Sequence, residues 1–285
     1  MSDIMKRFLT FLDLEQIDGD QFRGLSPAEP ARRIFGGQVL AQALVAASRT
    51  VEKRLCHSLH AYFLRPGDPA IPILYQVDRS RDGGSFAARR VVALQQDVPI
   101  FTLAASFQRA EAGFEHQAQM PQVPPPEDLE DDTQALLRQE LAPHVRAWVA
   151  RERPFETRSV FGRGPFGVNG DRPARPPLDY IWLKTREPVA DDQALHRVLL
   201  AFISDMSLLD TSLLPHGKSV FSAMQGASLD HAMWFHRDFR VDDWLLYVLE
   251  SPSASGARGF NRGSIFTRDG KLVASVAQEG LIRPH

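Results

Sequence analysis

Residues 62–106, YFLRPGDPAIPILYQVDRSRDGGSFAARRVVALQQDVPIFTLAAS, decide the fold because the chain writes them twice. The second version, residues 234–278, WFHRDFRVDDWLLYVLESPSASGARGFNRGSIFTRDGKLVASVAQ, lies 172 positions later and runs without a gap. Phe63 meets Phe235, Arg65 meets Arg237, Leu74 meets Leu246, Tyr75 meets Tyr247, Gly84 meets Gly256, Arg90 meets Arg262 and Asp97 meets Asp269. Conservative pairs keep the same step, with Tyr62 on Trp234, Val77 on Leu249 and Asp78 on Glu250. Solenoid repeats are much shorter. The pattern is that of two similar folds in tandem, and positions where the copies differ mark where chemistry is kept.

Working outward, Phe35-Gly36-Gly37-Gln38 opens a Pro-free run of Ala, Leu and Val to about Val51 that reads as one apolar helix. Strand signals follow near 57–64, 73–79, 85–94 and 100–107, with turns at Arg65-Pro66-Gly67-Asp68, Asp82-Gly83-Gly84 and Gln96-Asp97. The later copy keeps the order, with a helix expected over 193–209 and strands near 228–236, 244–250, 259–267 and 272–281. A helix followed by an antiparallel meander, twice, is an α+β pattern. Between the copies, Pro121-Gln122-Val123-Pro124-Pro125-Pro126 and the acidic residues after it read as a linker, followed by a helix over 133–151 and early strands at 157–161 and 180–184. The expected domains are 1–115, a linker and helix over 116–152, and 153–285.

With 285 residues, 44% of them hydrophobic, the chain can build two cores without a disulfide or metal staple. A formal charge of −2 gives no electrostatic reason to expect nucleic acid. The single cysteine, Cys56, fits a reducing compartment. No membrane span is expected, because no window approaches about 18 uncharged apolar residues. The tetrapeptide Ile282-Arg283-Pro284-His285 is not a peroxisomal address of the Ser-Lys-Leu type. A cytoplasmic location is the expectation.

Several candidate sites fail on context. Gly162-Arg163-Gly164-Pro165-Phe166-Gly167 has dinucleotide-binding spacing, but the polar, Pro-containing residues 168–177 cannot supply the apolar helix that such a motif needs. There is no Gly-x-Ser-x-Gly elbow, and nothing marks Cys56 as a nucleophile. His57 and His60, like His231 and His236, sit at odd separations on expected strands, which sends each pair to opposite faces and spoils a shared metal site. Asp205 is different, since it interrupts the apolar run from Val198 to Leu209 and must either be satisfied by hydrogen bonds or serve as a general base. Gln278 falls on the apolar face of the last strand with Leu272, Ala274 and Val276. Its first-copy counterpart is Ser106, and that of Ser228 is Cys56, so the copies disagree at both positions. Each is a hydrogen-bonding structural residue or part of a site present once per chain.

Phe35 to Gln38, HSLHAYFLRPGD at 57–68, SLDHAMWFHR at 228–237 and Gln278-Glu279-Gly280 together resemble the acyl-CoA thioesterase II family. The likeness covers almost the whole chain. It implies a double hotdog, in which each antiparallel sheet wraps a central helix, and a catalytic trio falling on Asp205, Ser228 and Gln278. The implied reaction is hydrolysis of medium- to long-chain fatty acyl-CoA to free acid and CoA, with no cofactor, no metal and no acyl-enzyme. The resemblance also implies a homo-oligomer. Arg89, Arg90, Arg258 and Arg262 are candidates for the CoA phosphates, with solvated surface arginines as the other reading. A hotdog enoyl-CoA hydratase using His57, His60 or His231, and a non-catalytic acyl-CoA sensor, are the alternatives.

Overall fold

The computed structural model describes residues 1–27, 33–167 and 170–284. Val168 and Asn169, in the polar segment after the glycine motif, and His285 of the terminal tetrapeptide lie outside them. The chain forms two compact units that do not follow sequence order. The first contains Met1–His116, Ala190–Met206 and Leu229–Asp238, and the second contains Gln117–Val189, Ser207–Ser228 and Phe239–His285.

The first unit opens with a helix, α1 (Asp3–Leu12), and a hairpin of β1 (Glu15–Asp18) and β2 (Gln21–Gly24), none of which the repeat foretells. The Ser2 side chain caps α1, and Met5, Phe8 and Leu12 form its buried stripe. Next come α2 (Gly36–Ser48), β3 (Leu55–Phe63), β4 (Ile73–Asp82), β5 (Phe86–Gln95) and β6 (Val98–Gln108), close to the expected bounds. With β10 (Asp230–Phe235) they make an antiparallel sheet ordered β1-β2-β4-β5-β6-β3-β10. The alternation of buried Ile73, Tyr75 and Val77 on β4, and of Ala87, Val91 and Ala93 on β5, aims one face at α2. Small side chains let α2 pack closely all round, against that face and against α5, with Ala41, Ala43, Ala46 and Ala47 fully buried. Gln42 is buried there with its polar ends satisfied, since it accepts from the Tyr75 hydroxyl at 2.8 Å and donates to the Phe11 carbonyl at 2.8 Å. Gln96 and Asp97 both take positive φ, 49° and 63°, the backbone of a tight hairpin turn. The same unit holds α5 (Gln193–Ser204), packed on α2 and β3, with the Phe202 ring 4.9 Å from that of Phe8.

In the second unit α3 (Asp132–Leu137), α4 (Pro143–Val149), β7 (Phe155–Ser159) and β8 (Leu178–Thr185) precede β9 (Met224–Ser228), β11 (Leu245–Ser255), β12 (Arg258–Thr267) and β13 (Leu272–Pro284). The antiparallel order is β9-β13-β12-β11-β8-β7. β5 and β12 begin and end 172 positions apart, so the sequence repeat is a structural one.

Three expectations need correction. The helix over 133–151 is two short helices, because Pro143 cannot continue the first and instead occupies the opening turn of the second. The helix over 193–209 ends at Ser204, with Asp205 as its cap and Ser207 at φ 73°. A 3₁₀ segment, Leu209–His216, then packs on β11, β12 and β13. That run, Gln193–His216, is long and apolar enough by composition to cross a membrane, with mean hydropathy 1.5 over its 18-residue window. However, 72% of that window is buried inside the protein, as in a core helix. Finally, the Pro-rich stretch is docked rather than loose: the Trp182 indole donates to the Pro124 carbonyl at 3.0 Å, and Met120, Val123 and Leu129 pack against Trp182, Leu246 and Phe266.

Candidate active site

Asp205 caps α5 in the first unit and is buried, 8% exposed. Its setting explains the Phe-Gly-Gly opening of α2. A Cβ on Gly36 would stand 2.7 Å from Asp205 Oδ2, and one on Gly37 would stand 2.4 Å from the Phe202 carbonyl, so only glycine admits the end of α5 here. Phe35, the N-cap of α2, makes no side-chain cap. The carboxylate therefore lies where the start of α2 meets the end of α5.

His231, on β10, stands on the other side. Its ring is fully buried, with Nε2 2.9 Å from Ser204 Oγ and Nδ1 4.0 Å from Asp205 Oδ1. Burial pushes its pKa down to about 3, so the ring is neutral at neutral pH. Sequence reasoning weighed His231 only for a metal or a hydratase. The signal that finds it is the repeat, because 172 positions earlier stands Leu59, also fully buried.

Ser228 and Gln278 belong to the second unit. β9 pairs with β13 so that Ser228 lies opposite Gly280, and Gln278, two residues back along β13, shares that face. Diagonal neighbours of this kind stand about 7–8 Å apart between Cα atoms. Ser228 is half-buried, whereas Gln278 is fully buried and lies opposite Asn261 on β12.

The first copy handles the matching positions differently. Cys56 is buried, with its thiol pushed up to about 12, which makes it inert. Ser106 is engaged by His57 Nε2 at 2.8 Å. Of the four candidate arginines, Arg89 is not solvated at all. It is 2% exposed, and its guanidinium donates to Thr50 Oγ1 at 2.7 Å, the Thr50 carbonyl at 2.9 Å and Asp82 at 2.7 Å. The surface reading thus fails for Arg89, whose donors are already committed within the protein. Arg258 and Arg262 pair with Glu279 and Glu250 at 2.8 and 2.6 Å, and Arg90 is exposed. The glycine motif at 162–167 is a loop, and its Arg163 is anchored to Asp132 at 3.0 Å.

The profile of the acyl-CoA thioesterase family matches residues 145–281, and that of the acyl-CoA thioesterase N-terminal domain matches residues 26–108. Acyl-CoA thioesterase 2 of Haemophilus influenzae is 44% identical over 287 aligned residues, covering 99% of each chain. Among solved structures, an acyl-CoA thioesterase II from Mycobacterium marinum superposes with a TM-score of 0.77 at 41% identity, over 96% of this chain and 97% of that one. A protein with a hot dog fold from Alicyclobacillus acidocaldarius, only 22% identical, gives the same TM-score over 98% of each, and supports the fold alone. The architecture is a tandem hotdog of α+β class, and the chain belongs to the acyl-CoA thioesterase family.

Proposed function

We propose that Asp205, Ser228 and Gln278 act together on one water molecule to hydrolyse medium- to long-chain fatty acyl-CoA. As a member of its family the chain is an acyl-CoA thioester hydrolase. Asp205 takes a proton as the water oxygen bonds to the thioester carbonyl carbon. Ser228 and Gln278 hold that water, and a first-turn amide of α2 receives the oxyanion. Collapse of the tetrahedral intermediate breaks the C–S bond, and the proton leaves with the CoA thiolate. The observation that carries this reading is the carboxylate of Asp205, buried against a helix start that only glycine can form.

The test is thiol release from palmitoyl-CoA. Asp205→Asn is expected to lower kcat by roughly 10² to 10⁴, the usual cost of losing a general base. Unchanged turnover would end the proposal, and double-bond loss from crotonyl-CoA without thiol release would point to a hydratase.

The duplicated hotdogs are assigned to 1–115 and 153–285, with 116–152 between them. The protein is further read as a cytoplasmic homo-oligomer acting in fatty acid metabolism. The buried, unbridged Cys56 supports a reducing compartment. Tyr62 and Trp234, exposed on the outer face of the paired strands β3 and β10, support self-association through that face.

A further inference from the structure

We propose that His231 is a positioning residue for Asp205, its bare Nδ1 held toward the carboxyl as acceptor for the acid that Asp205 becomes on taking a proton from water. The inference rests on the reading of Asp205 as general base.

The hydrogen-bond network fixes the tautomer. Ser204 has one hydroxyl proton, and it goes to the Ala201 carbonyl at 2.9 Å. Towards His231 the Ser204 oxygen can then only accept, so Nε2 carries the ring proton. Nδ1 is left with a lone pair. Among the described residues it is a buried nitrogen with no hydrogen-bond partner, and it faces Asp205 Oδ1 at 4.0 Å. That spacing suits a lone pair opposite an anion. Once Oδ1 is protonated the same pair is attractive, and the soft terminal torsion of an aspartate lets the two atoms close to hydrogen-bond length.

Two further facts favour this role over packing. A fully buried ring nitrogen without a partner costs stability. The matching place in the first copy is filled by Leu59, at no such cost, so the fold does not require a histidine there. The arrangement also differs from a nucleophilic triad, because Ser204 is fully buried and its proton is already committed.

During turnover no proton is lost to the ring. The water proton moves to Asp205, the water oxygen bonds to the carbonyl carbon, and the new carboxylic acid donates to Nδ1. The contact therefore forms in the transition state and not in the substrate complex, and its removal lowers kcat while leaving KM alone.

The experiment compares two variants with palmitoyl-CoA, each checked for folding by its Tm. His231→Gln keeps a group at the Nε2 position for Ser204 but nothing at Nδ1, whereas His231→Asn restores an atom at Nδ1 and gives up Ser204. We expect kcat of His231→Gln to fall about ten-fold, the worth of one hydrogen bond, with KM unchanged. His231→Asn should recover most of that kcat at a lower Tm. Wild-type kcat in His231→Gln, or a kcat in His231→Asn no higher than in His231→Gln, overturns the inference, since a structural role ranks the two the other way. If His231→Gln does not fold, Ser204→Ala, which removes the partner fixing the tautomer, replaces it; a several-fold loss of kcat is expected and none overturns the inference. Asp205→Asn run alongside separates the two levels. Inactive Asp205→Asn with normal His231→Gln defeats this inference alone, whereas active Asp205→Asn defeats the general-base reading beneath it.

Discussion

β3 and β10 are neighbours in one sheet and equivalent places in the repeat, yet their buried faces differ in kind. β3 presents Leu59 and Ala61 where β10 presents His231 and Met233. The contrast recurs at Cys56 against Ser228, Ser106 against Gln278 and Arg89 against Asn261. In the first copy the side chains at these places serve the fold: Leu59 fills core, Cys56 is an inert buried thiol, Ser106 is held by His57, and Arg89 ties a helix end to a hairpin. A duplicated scaffold shows what a position needs for packing alone, and the excess in the other copy is a measure of function.

Exchanging residues between copies tests that comparison, and the largest effects fall on turnover. Ser228→Cys and Gln278→Ser each install the first-copy residue, and each should lower kcat by about 10² to 10³, the usual loss of one positioned hydrogen-bonding group, with little change in Tm. Normal turnover in either would remove that residue from the site. Next in size is stability. Arg89→Leu leaves the two buried Thr50 oxygens without their donor while half-exposed Asp82 turns to solvent, and should cost about 2 kcal/mol in denaturant unfolding; a loss under 1 kcal/mol would show that the buried guanidinium is not structural.

The smallest effect concerns pH and sharpens the Leu59 and His231 pair. His231 has a folded pKa of about 3 against an ordinary value of 6.5, so below 6.5 the unfolded chain binds a proton that the folded one refuses. Its contribution to stability is whole above pH 6.5 and is lost as pH falls toward about 3. His231→Leu should flatten that acid slope in denaturant titrations between pH 6.5 and 4. An unchanged slope would mean that the ring is not buried neutral.

The repeat made most of the fold legible, since hydrophobic alternation and Gly turns survive duplication, and β5 and β12 keep their exact spacing. What it could not reveal lies where the copies cease to correspond. Neither α1 nor the β1–β2 hairpin lies within the matched stretch, and the break after Ser204 depends on local backbone, with Ser207 at positive φ, rather than on hydrophobic period. At the candidate site Asp205, Ser228 and Gln278 stood out as polar groups on apolar faces or as copy mismatches. His231 left an equal mismatch with Leu59, but a histidine on a strand has many uses, and only the buried contacts to Ser204 and Asp205 give it one. Arg89 misled for the opposite reason, because charge argues for solvent until its partners are seen.

The interleaving of the two units bears on how such a gene can evolve. Severing the polypeptide in the Pro-rich stretch would strip the amino-terminal fragment of α5 and β10, which complete its compact unit, and leave the other fragment carrying both as orphans. The dependence runs one way: the amino-terminal unit borrows α5 and β10 from the later copy, while the second unit takes nothing from residues 1–116, so a cut between them does not return two self-sufficient protomers.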